Sequence, residues 1–316
     1  RERSHLPAWP LPPLPRGASS PRRIQDYVTI TLFLAPSFIL FVIFLVYPIF
    51  RSIYFSLFNW NGLGPALNFV ALGNFTHILT DKVFIKAVAD CLLIVVLSLG
   101  IQLPLAMALA IMVGRDLPGR AIFRTIFFMP YVLSEVITAI IWMGLFSADP
   151  SRGLINALLV IIPGVQPQNF LSDIHQVMAC IFVVLTWKYF GLYMLLYLAG
   201  LQNIPKEIEE AALIDGANRW QLTGHITVPL LAGTIRTTIY LSVLGSLTQF
   251  NLVWIMTKGG PVNASEFMAT YMYRFGFVRF MLGYGSAVAL VMLLICLTFS
   301  VAYLRLARQP DYLGGM

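Results

Sequence analysis

The sequence predicts an all-α membrane protein with six transmembrane helices, on three observations. Of its 316 residues 58% are hydrophobic and only 11% charged, whereas soluble domains run near ~45–50% apolar and about 25% charged. The mean hydropathy is +0.79. The apolar residues gather into six blocks, near 27–50, 86–113, 122–146, 176–200, 229–257 and 281–307, each long enough for the roughly 20 helical residues that cross a bilayer. Within such blocks a helix satisfies its own backbone hydrogen bonds, which the hydrocarbon cannot do. Pro36, Pro48, Pro104 and Pro130 fall inside these blocks and predict kinks of the kind membrane helices tolerate.

Lysine and arginine set the orientation. The segment before the first block, the loops after the second and fourth, and the C-terminus carry 12 of them, against 7 in the remaining loops. The richer side is expected to be cytoplasmic, with both termini inside. The net charge of +7 is explained by that bias rather than by nucleic-acid binding. Residues 1–26 form a Pro-rich segment expected to be a disordered cytoplasmic tail. Residues 27–308 form the transmembrane domain and 309–316 a short cytoplasmic tail. Short outer loops leave no room for a sizeable external domain.

Several chemistries lack their residues. No lysine follows a glycine, so the phosphate-binding loop Gly-x4-Gly-Lys-Ser/Thr is missing, as are His-Glu-x-x-His and Gly-x-Ser-x-Gly. His5, His77, His175 and His225 are scattered, and Cys91, Cys180 and Cys296 lie in apolar blocks without metal-site spacing. The expectation is a chain that catalyses nothing and binds no metal or cofactor.

The segment Pro205 to Pro229, between the fourth and fifth blocks, is the most informative. Pro205 suits a first helical turn, and Glu207, Glu209 and Glu210 complement a helix N-terminus. Ala212 and Gly216, four apart, leave a face without bulk, and Gly216 is expected to end the helix. Glu210-Ala211-Ala212, three residues, Gly216, nine residues, then Ile226-Thr227-Val228-Pro229 resembles the EAA motif of bacterial ABC importer permeases, with Val228 in place of a leucine. The resemblance extends over about 27–308 and is closest to carbohydrate permeases of the MalF type. It includes Pro130 with Ser134, Trp142, Gly153, Asn156, Trp187 with Gly191, and Gly259-Gly260-Pro261.

That resemblance implies a MetI-like permease fold and a coupling segment at 205–229, in which Glu210, Ala211, Ala212, Asp215, Gly216, Ile226 and Pro229 dock an ATPase. It implies a second, homologous permease, two ATP-binding-cassette subunits that hold ATP and Mg, and an extracytoplasmic solute-binding protein met by the outer loops 59–82 and 149–175. The transported solute would be a sugar or oligosaccharide, with a glycerol phosphate as the alternative; an ion-driven secondary transporter is the rival class. By matching, Lys188, Tyr189, Ser242, Ser246, Gln249 and Asn251 fall along the substrate pathway. Of the charges within the blocks, Lys86 and Asp90 are spaced as an i,i+4 pair and Arg236 is near enough to one end to snorkel. Glu135 and Lys188 fall near mid-bilayer, where they either pair with each other or leave Lys188 to bind substrate.

Overall fold

A computed structural model describes residues 21–114 and 119–307, with side chains from Tyr27 onward; of the expected tails, 1–20 and 309–316 lie outside the described residues, while 21–26 is helical rather than disordered. Residues up to Arg51 and those from Ser52 onward form two compact units. In the first, the chain is already helical at Pro21 and runs on as the long apolar helix α1 (Tyr27–Ser56), whose last residues enter the second unit.

The second unit is a bundle. Short helix α2 (Gly73–Thr80) precedes α3 (Lys82–Gly114). The third apolar block then differs from expectation. Instead of one continuous helix over 122–146, it forms α4 (Arg120–Val132) and α5 (Glu135–Leu145), bent by 98°. Short α6 (Leu154–Leu159) follows in the connection after α5, then α7 (Val177–Gln202). Helices α8 (Lys206–Ile214) and α9 (Arg219–Leu222) form the predicted coupling segment. The fifth block is also interrupted, into α10 (Ala232–Thr248) and α11 (Asn251–Met256), by Gln249 in an extended conformation. Short α12 (Met268–Tyr273) leads to α13 (Leu282–Leu306). By length and composition, five helices qualify as spans, or six when the bent pair counts as one.

The bend has a local cause. Leu133 (ψ 143°) and Ser134 (ψ 152°) leave the helical region, and the Ser134 hydroxyl accepts from the Ile137 amide at 3.2 Å, as a helix N-cap does. Glu135 stands in the first turn of α5, where a carboxylate complements the helix dipole. The chain therefore starts a new helix here, four residues beyond the proline that promised a kink.

Helix α7 is the axis of the unit. Its upper half joins an outer core with Ile78, Cys91, Ile181, Leu252, Phe267 and Tyr271. Its lower half joins an inner core with Leu103, Ala106, Ala110, Met194 and Tyr197. Small residues let the helices approach, as in membrane bundles generally: Ala106 and Ala110 are fully buried, and a Cβ on Gly191 would lie 2.0 Å from the Phe127 carbonyl oxygen of α4. The cysteines are free, Cys91 and Cys180 buried. Asn156 closes the loop between α5 and α7 by donating to the carbonyls of Ser147 (2.8 Å) and Gln168 (2.9 Å) while its own oxygen accepts from the Gln168 amide (2.8 Å).

Candidate functional site

Two places collect the residues singled out by the sequence. The first is the coupling segment. Pro205 occupies the N-cap position of α8, and Glu207 and Glu209 stand in its first turn. The helix ends in a paired turn: the Gly216 amide donates to the Leu213 carbonyl (3.1 Å) and the Ala217 amide to that of Ala212 (3.0 Å). Such an ending needs a left-handed residue, and Gly216 has φ +89°. Asn218 then starts α9 with a capping box completed by Gln221. Ala212 is buried and Ile226 half-buried, while Glu210, Ala211, Asp215, Gly216 and Pro229 are exposed. Beside them Ile214 is 85% and Trp220 87% exposed. The segment thus presents two large apolar side chains beside an open glycine turn, with nothing within 4 Å of where a Gly216 Cβ would be. Ile214 and Trp220 were missed by motif matching; their signal was a bulky apolar residue on each side of a helix-ending glycine.

The second place lies where α4 breaks, between the outer and inner cores. Lys188 is 3% exposed. Its ammonium donates to the carbonyl oxygen of Leu133 at 2.5 Å and lies 3.4 Å from that of Tyr131. The Tyr189 hydroxyl donates to the Glu135 carboxylate. The two charges at the break thus have different hydrogen-bond partners, one main-chain and one phenolic, while Glu135 still acts on Lys188 through its charge. Ser242 and Ser246 are buried on α10, with the Ser246 hydroxyl donating to the Ser242 carbonyl at 2.9 Å. Gln249 sits at the second break, buried, and its Nε2 finds no partner among the described residues. Asn251 is exposed at the start of α11. Lys188, Tyr189 and Glu135 are thus brought together at the first break, Ser242 and Ser246 share one face of α10, and Gln249 and Asn251 flank the second break. The other in-span charges behave as expected: Lys86 pairs with Asp90 at 2.5 Å, and Arg236 reaches the carbonyls of Ala232 (3.1 Å) and Ala307 (3.0 Å) at the other end of the bundle.

Residues 102–311 match the family described as binding-protein-dependent transport system inner membrane component. The chain belongs to that family. A probable ABC transporter permease of Pyrococcus horikoshii is 35% identical over 90% of this chain and 97% of its own length. The diacetylchitobiose uptake system permease NgcF of Streptomyces coelicolor is 32% identical over 91% and 85%. Among solved structures, a bacterial ABC transporter involved in the import of the acidic polysaccharide alginate superposes with a TM-score of 0.79 at 25% identity, covering 91% of this chain and 97% of that one. This inner membrane component is therefore a multi-pass membrane permease, and the segment from Glu210 to Pro229 lies within the matched residues.

Away from the coupling segment, two buried or half-buried carboxylates tie the connections before α3 and α12 to the helices. Asp81 caps α3 by accepting from the amides of Val83 (2.7 Å) and Phe84 (3.3 Å), and it accepts from the Tyr271 hydroxyl at 2.6 Å. Burial pushes its carboxyl up, but these donors outweigh burial and hold it below the usual carboxylate range. Glu266 is fully buried between α11 and α12; burial raises its pKa, opposed by the Thr270 hydroxyl at 2.7 Å and the Arg274 guanidinium at 2.7 Å. Among the described residues no group of three or more His, Cys, Asp or Glu is placed to hold a metal ion.

Proposed function

We propose that this chain is the transmembrane permease subunit of an ATP-driven importer for a sugar or oligosaccharide, delivered by an extracytoplasmic solute-binding protein and moved by alternating access. The observation that carries the reading is the coupling segment. It is a capped helix ended at Gly216 that leaves Ile214 and Trp220 uncovered, and large apolar side chains bare on a surface mark a site where another protein sits. In this reading the segment faces the cytoplasm, as do both termini, and receives an ATP-binding-cassette subunit. ATP and Mg belong to two such subunits, and this chain itself is not catalytic. A second, homologous permease completes the pathway, and the outer loops 59–82 and 149–175 meet the binding protein. ATP-driven closure of the ATPases would bias a two-state equilibrium of the spans at a distance.

A saccharide is preferred to a glycerol phosphate because the mid-span cation, Lys188, spends its ammonium on main-chain carbonyls. The buried amide of Gln249 and the hydroxyls of Ser242 and Ser246 suit neutral hydroxyl-rich solutes. The test is to purify the chain with its co-expressed neighbours and assay uptake in vesicles. A co-purifying ATPase and ATP-dependent uptake of a saccharide are expected. Uptake by this chain alone, driven by an ion gradient without ATP, would overturn the reading.

A further inference from the structure

Lys188 is a buried charge at the middle of α7 that the transport reading does not use. In a continuous helix, the Leu133 carbonyl would accept from the Ile137 amide four residues on. At the break that amide turns to the Ser134 hydroxyl instead. The carbonyl is left without its donor, in a region where an unpaired polar group is costly. Lys188 stands 2.5 Å from this oxygen and 3.4 Å from the Tyr131 oxygen, both at the C-terminal end of α4. A cation there also complements the negative end of the helix dipole. One turn further along α7, Gly191 brings the two backbones together at Phe127. Helices α4 and α7 are thereby joined at two levels, by a close backbone contact and by a charge-assisted hydrogen bond.

We propose that Lys188 is a positioning residue of the transport pathway: its ammonium replaces the amide donor lost by Leu133, fixes where α4 ends, and does not bind the transported solute. The position of Glu135 follows, because the turn that ends α4 also sets the first turn of α5, where Tyr189, the next residue of α7, holds the carboxylate. Two neighbouring side chains of α7 thus hold the two sides of one break. The inference deepens the permease reading and rests on it only for its transport assay.

The test compares Lys188→Met, Lys188→Gln and Lys188→Arg in the assembled transporter, normalised to the amount of inserted complex. The first readout is amide hydrogen exchange, independent of which solute is carried. Peptides covering 128–138 should exchange at least ~10-fold faster in Lys188→Met, since a charge-assisted bond that holds the break is lost. Lys188→Gln, which keeps one neutral donor, should be intermediate, and Lys188→Arg, which keeps a charged donor, close to wild type. Unchanged exchange in the Met and Gln variants would overturn the proposal. The second readout is uptake: Vmax should fall about tenfold with KM unchanged. A KM raised tenfold or more at constant Vmax would identify Lys188 as a solute ligand and overturn it too. Should the Met variant fail to assemble, the Gln and Arg variants carry both readouts. If the wild-type complex moves no saccharide, the transport reading fails while the exchange result still decides the role of Lys188.

Discussion

Gly191 shows why single residues matter in this bundle. Its missing side chain is what lets α7 lie against the Phe127 carbonyl, 2.0 Å from where a Cβ would stand. Gly191→Ala must push α4 away, and overpacking of this kind costs about 1–3 kcal/mol. Gly245 makes the contrast: it lies within α10 with nothing inside 4 Å of its Cβ position, so alanine there should be neutral or stabilising by up to ~1 kcal/mol. Thermal unfolding of the two variants in detergent should shift in opposite directions, or at least the Gly191 variant alone should lose stability. Asp81 gives a pH-dependent case. Its folded carboxyl is held below the ordinary value of 3.8, so its stabilising contribution is fully present above that value and is lost as the pH falls through the depressed one. Asp81→Asn keeps a side-chain oxygen for capping but cannot titrate. The wild type should therefore be the more stable of the two near neutral pH, and its advantage should shrink as the pH is lowered below about 4. Melting curves from pH 7 to pH 3 would read this directly, and a constant difference would contradict it.

At the scale of elements, the sequence told proline effects and helix breaks apart poorly. Three of the π-helical turns, Val42–Val46, Ser98–Gln102 and Thr223–Thr227, each end two residues before a proline, at Pro48, Pro104 and Pro229. A wide turn there absorbs the clash between the proline ring and the carbonyl behind it, so Pro48 and Pro104 distort their helices without ending them, whereas the helical turn at Pro229 stops at Leu230. Pro130 sits inside α4 and does not end it either. The true break in the third apolar block is signalled by Ser134 followed by Glu135, an N-cap with an acid in the first turn. Hydropathy counting cannot see it, because the apolar block runs on through both halves. Likewise the motif residues Gly191 and Asn156 were legible as marks of a family but not as what they do, since a close backbone approach and a loop clamp depend on partners distant in the chain. The coupling segment was legible because its helix, cap and glycine turn are all local. Its docking prediction follows from exposure. Ile214→Asp and Trp220→Ala replace side chains that pack on little in this chain, so the permease should insert at normal levels and melt within ~0.5 kcal/mol of wild type. Its ATPase should nonetheless co-purify poorly, at least tenfold less, as expected when large apolar residues central to an interface are removed. Normal recovery of the ATPase with both variants would show that the partner sits elsewhere.

For the whole molecule, the polar side chains at the helix breaks and the uncovered apolar turn lie on different elements of one bundle, and orientation decides what each can meet. With the bent pair counted as one crossing, the connections from 57 to 81, 146 to 176 and 257 to 281 follow odd-numbered spans and that from 203 to 231 follows an even one, so the coupling segment lies on the face opposite the loops that carry Asp81 and Glu266. In the proposed reading the charge count of 12 against 7 turns the coupling face toward the cytoplasm. The assignment can be tested on a chain whose three cysteines, Cys91, Cys180 and Cys296, have been replaced. Asn61→Cys, in the exposed outer loop, should react with a membrane-impermeant maleimide in cells whose inner membrane is intact but accessible from outside. Trp220→Cys should react only in inverted vesicles, and more strongly when the ATPase is stripped away than when it is bound. Protection by the ATPase would join orientation and docking in one measurement, because a residue on the wrong face could not be shielded by a cytoplasmic partner. Labelling of Trp220→Cys from outside would reverse the orientation and, with it, the side on which ATP must act.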